Sequence, residues 1–133
     1  LSSALQQLVD DYQRIGDAEV RLTVSPSVDE VIDDATRIHV YRIAQEALTN
    51  ALTHSSARNV TVVLQRVADT VWLVVNDDGK GFRTDRSHVA PGFGIMSMNE
   101  RARIVEGTLA VLSRPGHGTR VSLQFPVRPE VGS

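Results

Sequence analysis

The chain has no cysteine among its 133 residues. Disulfide staples, thiol nucleophiles and thiolate metal sites are excluded together, and the absence agrees with a reducing compartment. Aromatics are few, with one Trp, two Tyr and three Phe. Neither sign of charge dominates: 14 Lys and Arg against 16 Asp and Glu give 14 − 16 = −2. That balance offers no polyanion-binding surface and no electrostatic membrane anchor, so neither nucleic acid nor direct membrane contact is expected. No apolar run approaches the roughly 20 residues of a membrane span, and no signal peptide, repeat or low-complexity tract is visible. The chain opens on Leu1 rather than Met. It reads as a piece of a longer protein, with a cytoplasmic location and a parent that could carry its own anchor.

What is present is a patterned single domain. Leu1 to Gly16 has helical spacing and a glycine stop. The segment "AEVRLTV" alternates as a half-wet strand. Ser27 and Glu30 have capping-box spacing, which predicts a helix starting near Val28 and breaking near Asp33 and Asp34. A long helix follows from about Ala35 to Ser55. Strands are expected at Val60–Val67 and Val71–Asn76, then a helix from Gly92–Gly94 to about Glu106 with Gly107 as a left-handed cap. A final hairpin pairs Thr108–Ser113 with Arg120–Val127. Trp72 reads as a core residue. The fold class is α+β: a two-layer α/β sandwich, with a mixed, mostly antiparallel sheet and helices on one face.

Four short stretches carry candidate chemistry. In "RIAQEALTNALTH", Glu46, Asn50 and His54 are spaced i, i+4, i+8. At about 100° per residue they fall near 0°, 40° and 80°, one stripe along the helix. Asn offers a hard oxygen suited to Mg²⁺, Glu can hold a water or take a proton, and His can meet phosphate. The stretch "VNDDGKGF" ends an apolar strand in two aspartates and two glycines. A calcium loop is excluded, because Val74 would fall at its first ligand position. A carboxylate there can accept from an exocyclic amine, and glycine lets a flat ligand approach. The residue types leave the two aspartates equivalent. Gly92 and Gly94 open a helix whose free N–H groups suit phosphate. "GHGT", residues 116–119, is a turn. His39, His88 and His117 need no role, and four scattered histidines speak against a metal cluster of protein ligands.

In this order, "RIAQEALTNALTH", "VNDDGKGF", "PGFGIMSMNERA" and "GHGT" resemble the N, G1, G2 and last glycine boxes of the GHKL (Bergerat-fold) ATPase superfamily. The chain is most similar to the ATP-binding catalytic domain of sensor histidine kinases of the nitrate-sensor type, over roughly Val20 to Val127. The resemblance implies ATP and Mg²⁺ as cofactors. It implies Glu46 as the catalytic residue that polarises the attacking group, Asn50 as the Mg²⁺ ligand and His54 near phosphate. Asp77, Gly79 and Gly81 match the D-x-G-x-G box, which makes Asp77 the base-facing aspartate and Asp78 the variable position. Gly92, Phe93 and Gly94 match the hinge and phosphate contacts of a short lid, about Arg83 to Pro91, and Thr119 the polar residue of the last box.

Such kinases phosphorylate a histidine on a dimerisation segment and pass the phosphoryl group to a response regulator. No phosphoacceptor histidine occurs in Leu1 to Gly16. The implied organisation is therefore a linking helix at 1–16, the ATP-binding domain at 17–128 and a frayed tail at 129–133. Two other readings stay open: a GHKL protein-serine kinase of the anti-sigma-factor type, and a non-catalytic nucleotide-binding module.

Overall fold

The structure, a computed structural model, describes residues 1–81 and 94–127. Helix α1 (Ser2–Ile15) leads into strand β1 (Glu19–Val24). A short 3₁₀ turn (Pro26–Val28) precedes helix α2 (Asp34–Thr49), which runs on into a π turn (Asn50–His54). Strands β2 (Asn59–Val67) and β3 (Thr70–Asp77) form a hairpin. Helix α3 (Ile95–Ile104) then precedes β4 (Thr108–Ser113) and β5 (Thr119–Pro126).

The five strands lie in the order β1-β2-β3-β5-β4. β1 runs parallel to β2 and the other pairs are antiparallel, so the sheet is mixed and mostly antiparallel as expected. Alternation decides the two faces. Val60, Val62 and Leu64 of β2, Val71, Leu73 and Val75 of β3, and Val121, Leu123 and Phe125 of β5 point inward. They meet Leu5, Leu8 and Val9 of α1, Val40, Ile43, Ala44, Ala47 and Leu48 of α2, and Met98 and Ala102 of α3 in one core. Burial of these side chains at roughly 25 cal/mol per Å² is what holds the helical layer on the sheet.

Three local expectations are corrected. No α-helix starts at Val28: Ser27 and Glu30 make no capping box, the chain forms only the 3₁₀ turn Pro26–Val28, and the next helix is the expected long one, beginning at Asp34. There Asp33 is the N-cap, with its Oδ1 accepting from the Thr36 N–H at 2.7 Å. At the end of α3 the left-handed residue is Glu106 (φ 59), not Gly107. Gly107 is needed for room instead, since a Cβ there would sit 2.7 Å from the Gln124 carbonyl oxygen. Trp72 is not in the core. It lies half-exposed on the outer face of β3, between Gln65 and Gln124 of its neighbours. That face is the open side of the sandwich, with Leu112 67 % exposed near its edge.

Candidate functional site

The inward face of the sheet changes character at one end. Along β3 the inward positions run Val71, Leu73, Val75, Asp77, so Asp77 is the polar end of an apolar series. It pairs across β5 with Thr119, which pairs in turn with Ser113 of β4. Thr119 and Ser113 are both buried, with their hydroxyls 2.7 Å apart. The sheet therefore offers a row of oxygens to the helical layer just where α2 ends.

The two aspartates differ sharply. Asp77 is half-buried, and burial pushes its carboxyl up from the usual carboxylate range. The backbone N–H groups of Gly79 and Thr119 pull it back in part, with Gly79 N donating to Oδ1 at 2.8 Å. Asp78 is exposed and points the other way. Its Oδ1 accepts from the N–H groups of Arg58 (2.8 Å) and Asn59 (2.9 Å), and its Oδ2 from the Asn59 side-chain amide (2.8 Å). These bonds, led by the Asn59 side chain, hold its carboxyl below the ordinary value. Asp78 is a structural tie that fastens the turn to the start of β2.

The G1-box glycines are required by the protein's own packing. A Cβ on Gly79 would lie 2.6 Å from the Ser55 Cβ and closer still to the Ser55 carbonyl oxygen. Gly81 has φ 67, and a Cβ on it would collide with the Arg114 carbonyl of the β4–β5 turn. These contacts give both glycines a packing role of their own. They let the β3 turn nest between the end of α2 and the β4–β5 turn.

α2 supplies the opposite wall. Glu46 is half-buried and Asn50 is only 6 % exposed. The regular α geometry assumed from the sequence stops at Thr49. From Asn50 to His54 the backbone widens into the π turn, closed by Ser55 N–H to the Asn50 carbonyl at 2.9 Å. Glu46 and Asn50 keep their shared stripe. His54, half-buried, sits on the wider turn and is rotated from the position that an uninterrupted helix would give it.

Gly94 (φ 65) is the N-cap of α3 and has no side chain with which to cap it. A Cβ on Gly94 would fall into the Glu46 side chain, 2.6 Å from Cγ, so the glycine lets the α3 entry close onto Glu46. The first-turn N–H groups of a helix have no partner within the helix itself, and such groups suit an anion. Gly92 and Phe93 lie outside the described residues.

The structure thus brings Glu46 to Gly94, and Asp77 to Gly79 and Thr119, while Ser55 links the end of α2 to the β3 turn. Sequence reasoning missed Ser55, Asn59 and Ser113. Ser113 was within reach of strand pairing; the other two left no local signal. A separate groove of about 510 Å³ lies at the far end of the sandwich, lined by Asp33, Arg66, Val105, Phe125 and Val127 among others. It contains none of the site residues. Among the described residues no group of three His, Asp or Glu is placed to hold a metal ion, and no helix is long and apolar enough to cross a membrane.

The fold is that of a GHKL-type ATPase domain. Residues 33–129 match the family described as histidine kinase-, DNA gyrase B-, and HSP90-like ATPase, and the chain belongs to it. It is 35 % identical over 130 residues to the sensor histidine kinase LiaS of Bacillus subtilis, covering 98 % of this chain and 35 % of that protein. It is 33 % identical over 134 residues to the sensor protein VraS of Staphylococcus epidermidis, covering 100 % of this chain and 37 % of that protein. The chain therefore spans about a third of the length of these curated relatives. They are LiaS- and VraS-type sensors, so membership is not narrowed to the nitrate-sensor group.

Among solved structures, the blue-light activated histidine kinase EL346 of Erythrobacter litoralis superposes with a TM-score of 0.78 at 22 % identity, over 92 % of this chain and 40 % of that one. The ATP-binding domain of PrrB from Mycobacterium tuberculosis gives 0.72 at 20 %, over 96 % and 93 %. At these identities the likeness is one of fold.

Proposed function

We propose that this chain is the catalytic domain of a two-component sensor histidine kinase, which binds Mg²⁺–ATP and delivers the γ-phosphoryl group to a histidine on a dimerisation segment outside it. The observation that carries the reading is the inward placement of Asp77, at the end of the central strand, facing the helix that bears Glu46 and Asn50. The "YRIAQEALTNALTH" stretch supports the nitrate-sensor group within such kinases.

The residues fit the two groups that the family implies. Asp77 is a fixed acceptor for the adenine amine and would repel the carbonyl oxygen that guanine carries there. The start of α3, with Gly92, Phe93 and Gly94 before it in the sequence, suits the phosphates, aided by His54. Asn50 would offer a hard oxygen to Mg²⁺, which shares phosphate oxygens and keeps waters of its own. Bound there, Mg²⁺ would neutralise charge on the phosphates during transfer.

In the reaction, an imidazole nitrogen of the incoming histidine attacks the γ-phosphorus in line, and the bond to the β–γ bridging oxygen breaks. ADP leaves with that electron pair. Glu46 orients the imidazole and takes its proton. Most of the acceleration comes from positioning and from charge already in place. The phosphohistidine then serves a response regulator.

The test is to mix the chain with γ-labelled ATP and the separately expressed histidine-bearing segment of its parent. Acid-labile, base-stable label on that segment is expected. Acid-stable label on a serine would favour the serine-kinase reading, and ATP binding without transfer would favour a nucleotide-binding module.

A further inference from the structure

We propose that Ser55 is a positioning residue that ties the metal end of the cleft to its base end, so that Asn50 and Asp77 are set as one unit. This rests on the nucleotide reading above, but its structural half can be tested without nucleotide.

The path is short and continuous. α2 ends at Thr49, and the Asn50 carbonyl is taken by Ser55 N–H at 2.9 Å, one residue further on than an α-helix would allow. The Ala57 N–H to Ala51 carbonyl bond at 3.0 Å holds the widened turn open. In an uninterrupted helix Ser55 would be turned away by roughly 100° and would miss the β3 turn. With the π turn, Ser55 is 1 % exposed and its carbonyl accepts from Lys80 N–H at 2.8 Å. Its Cβ occupies the space that a side chain on Gly79 would need. Gly79 N–H in turn holds Asp77 Oδ1 at 2.8 Å. The Lys80 carbonyl accepts from Gly116 N–H at 2.5 Å, which closes the turn against the β4–β5 loop.

Asn50 and Asp77 are thus joined through Ser55 by two backbone hydrogen bonds, one close contact and one Asx-type bond. π turns inside helices are frequent at functional sites. Here the extra residue has a definite geometric result: it swings Ser55 onto Gly79. A displacement of Asp77 by the bound base is therefore felt at Asn50, and metal binding is felt at Asp77.

Every contact that Ser55 makes in this path uses its backbone or its Cβ. Ser55→Ala keeps them all. Ser55→Val adds branches against Gly79, and Gly79→Ala fills the same space from the other side.

The experiment uses the full chain, with thermal melts to confirm folding, and has two arms. In the first, without nucleotide, side-chain amide NMR signals of Asn50 are compared across the variants. They should match wild type in Ser55→Ala and move in both Ser55→Val and Gly79→Ala. Unmoved Asn50 signals in the last two overturn the linkage, whatever the chain binds.

In the second arm, ATP and GTP are titrated calorimetrically with and without Mg²⁺. In Ser55→Val and Gly79→Ala the preference for ATP and the gain on adding Mg²⁺ should both fall by about tenfold, with Ser55→Ala like wild type. Loss of one without the other, or Val behaving as well as Ala, contradicts the proposal. A wild-type chain that binds no nucleotide sinks the functional reading while leaving the first arm to decide the linkage.

Discussion

Asp77 and Asp78 are neighbours in the chain and belong to different regions of the molecule. Asp77 shares the parity of Val71, Leu73 and Val75, so it is carried to the inner face of the sheet, where water is scarce and a helix stands opposite. Asp78 has the opposite parity and turns back to β2, where three hydrogen bonds occupy its carboxylate. Burial raises the pKa of one, and hydrogen bonding lowers that of the other. The same side chain is costly to ionise in one place and stabilising in the next. A residue kept at a cost to the fold is a candidate for function; a residue fully used by the fold is not.

The largest effect expected is at the far wall of the cleft. Asn50→Ala should reduce phosphotransfer by about a thousandfold while leaving Mg²⁺-free ATP binding within about tenfold. Labelled transfer and calorimetry in parallel would check this. It separates the proposed metal end from the proposed base end at Asp77. Next, Asp78→Ala should lower stability by about 1–2 kcal/mol, because it leaves two backbone N–H groups and the Asn59 amide without their acceptor. ATP affinity should be unchanged, so a loss of binding there would erase the distinction between the two carboxylates.

The pH dependence should cross. Asp78 has a lowered folded value, so its contribution is present above the unfolded value near 3.8 and is lost as pH falls through the folded one. Asp77 has a raised folded value, so its ionisation costs stability as pH rises from 3.8 through the folded value. Melting curves at pH 7 should therefore show Asp77→Asn above wild type and Asp78→Asn below it, with both differences shrinking towards pH 3. The smallest effect is that of Asn59→Ala, which removes one of the three bonds to Asp78 and should cost about 0.5–1 kcal/mol by denaturant melt, with nucleotide affinity intact.

Much of this was legible in the residues. The strands, the long helix and the two hairpins follow from alternation and period, because burial on one face enforces both. The parity that separates the aspartates was also present. It was masked by the run "VWLVV", whose outward members Trp72 and Val74 are as apolar as the inward ones. Ser27 and Glu30 had capping-box spacing but no helix to cap, since Asp33 bonds Thr36 N–H and starts the helix there.

The π turn left no mark at all. It depends on where Ser55 must land against Gly79, a contact 24 residues away in sequence (79 − 55). The glycines were recognised, but the protein contacts that require them are tertiary. What crowds Gly79 and Gly81 is Ser55 and Arg114, which no local pattern announces.

The most direct test of the central claim is a calorimetric titration of ATP and GTP, with Mg²⁺ present, into wild type, Asp77→Asn and Asp78→Asn. Wild type should prefer ATP, Asp78→Asn should match it, and Asp77→Asn should lose about a hundredfold in ATP affinity although its fold is more stable. ATP binding that survives Asp77→Asn and fails in Asp78→Asn would contradict the account.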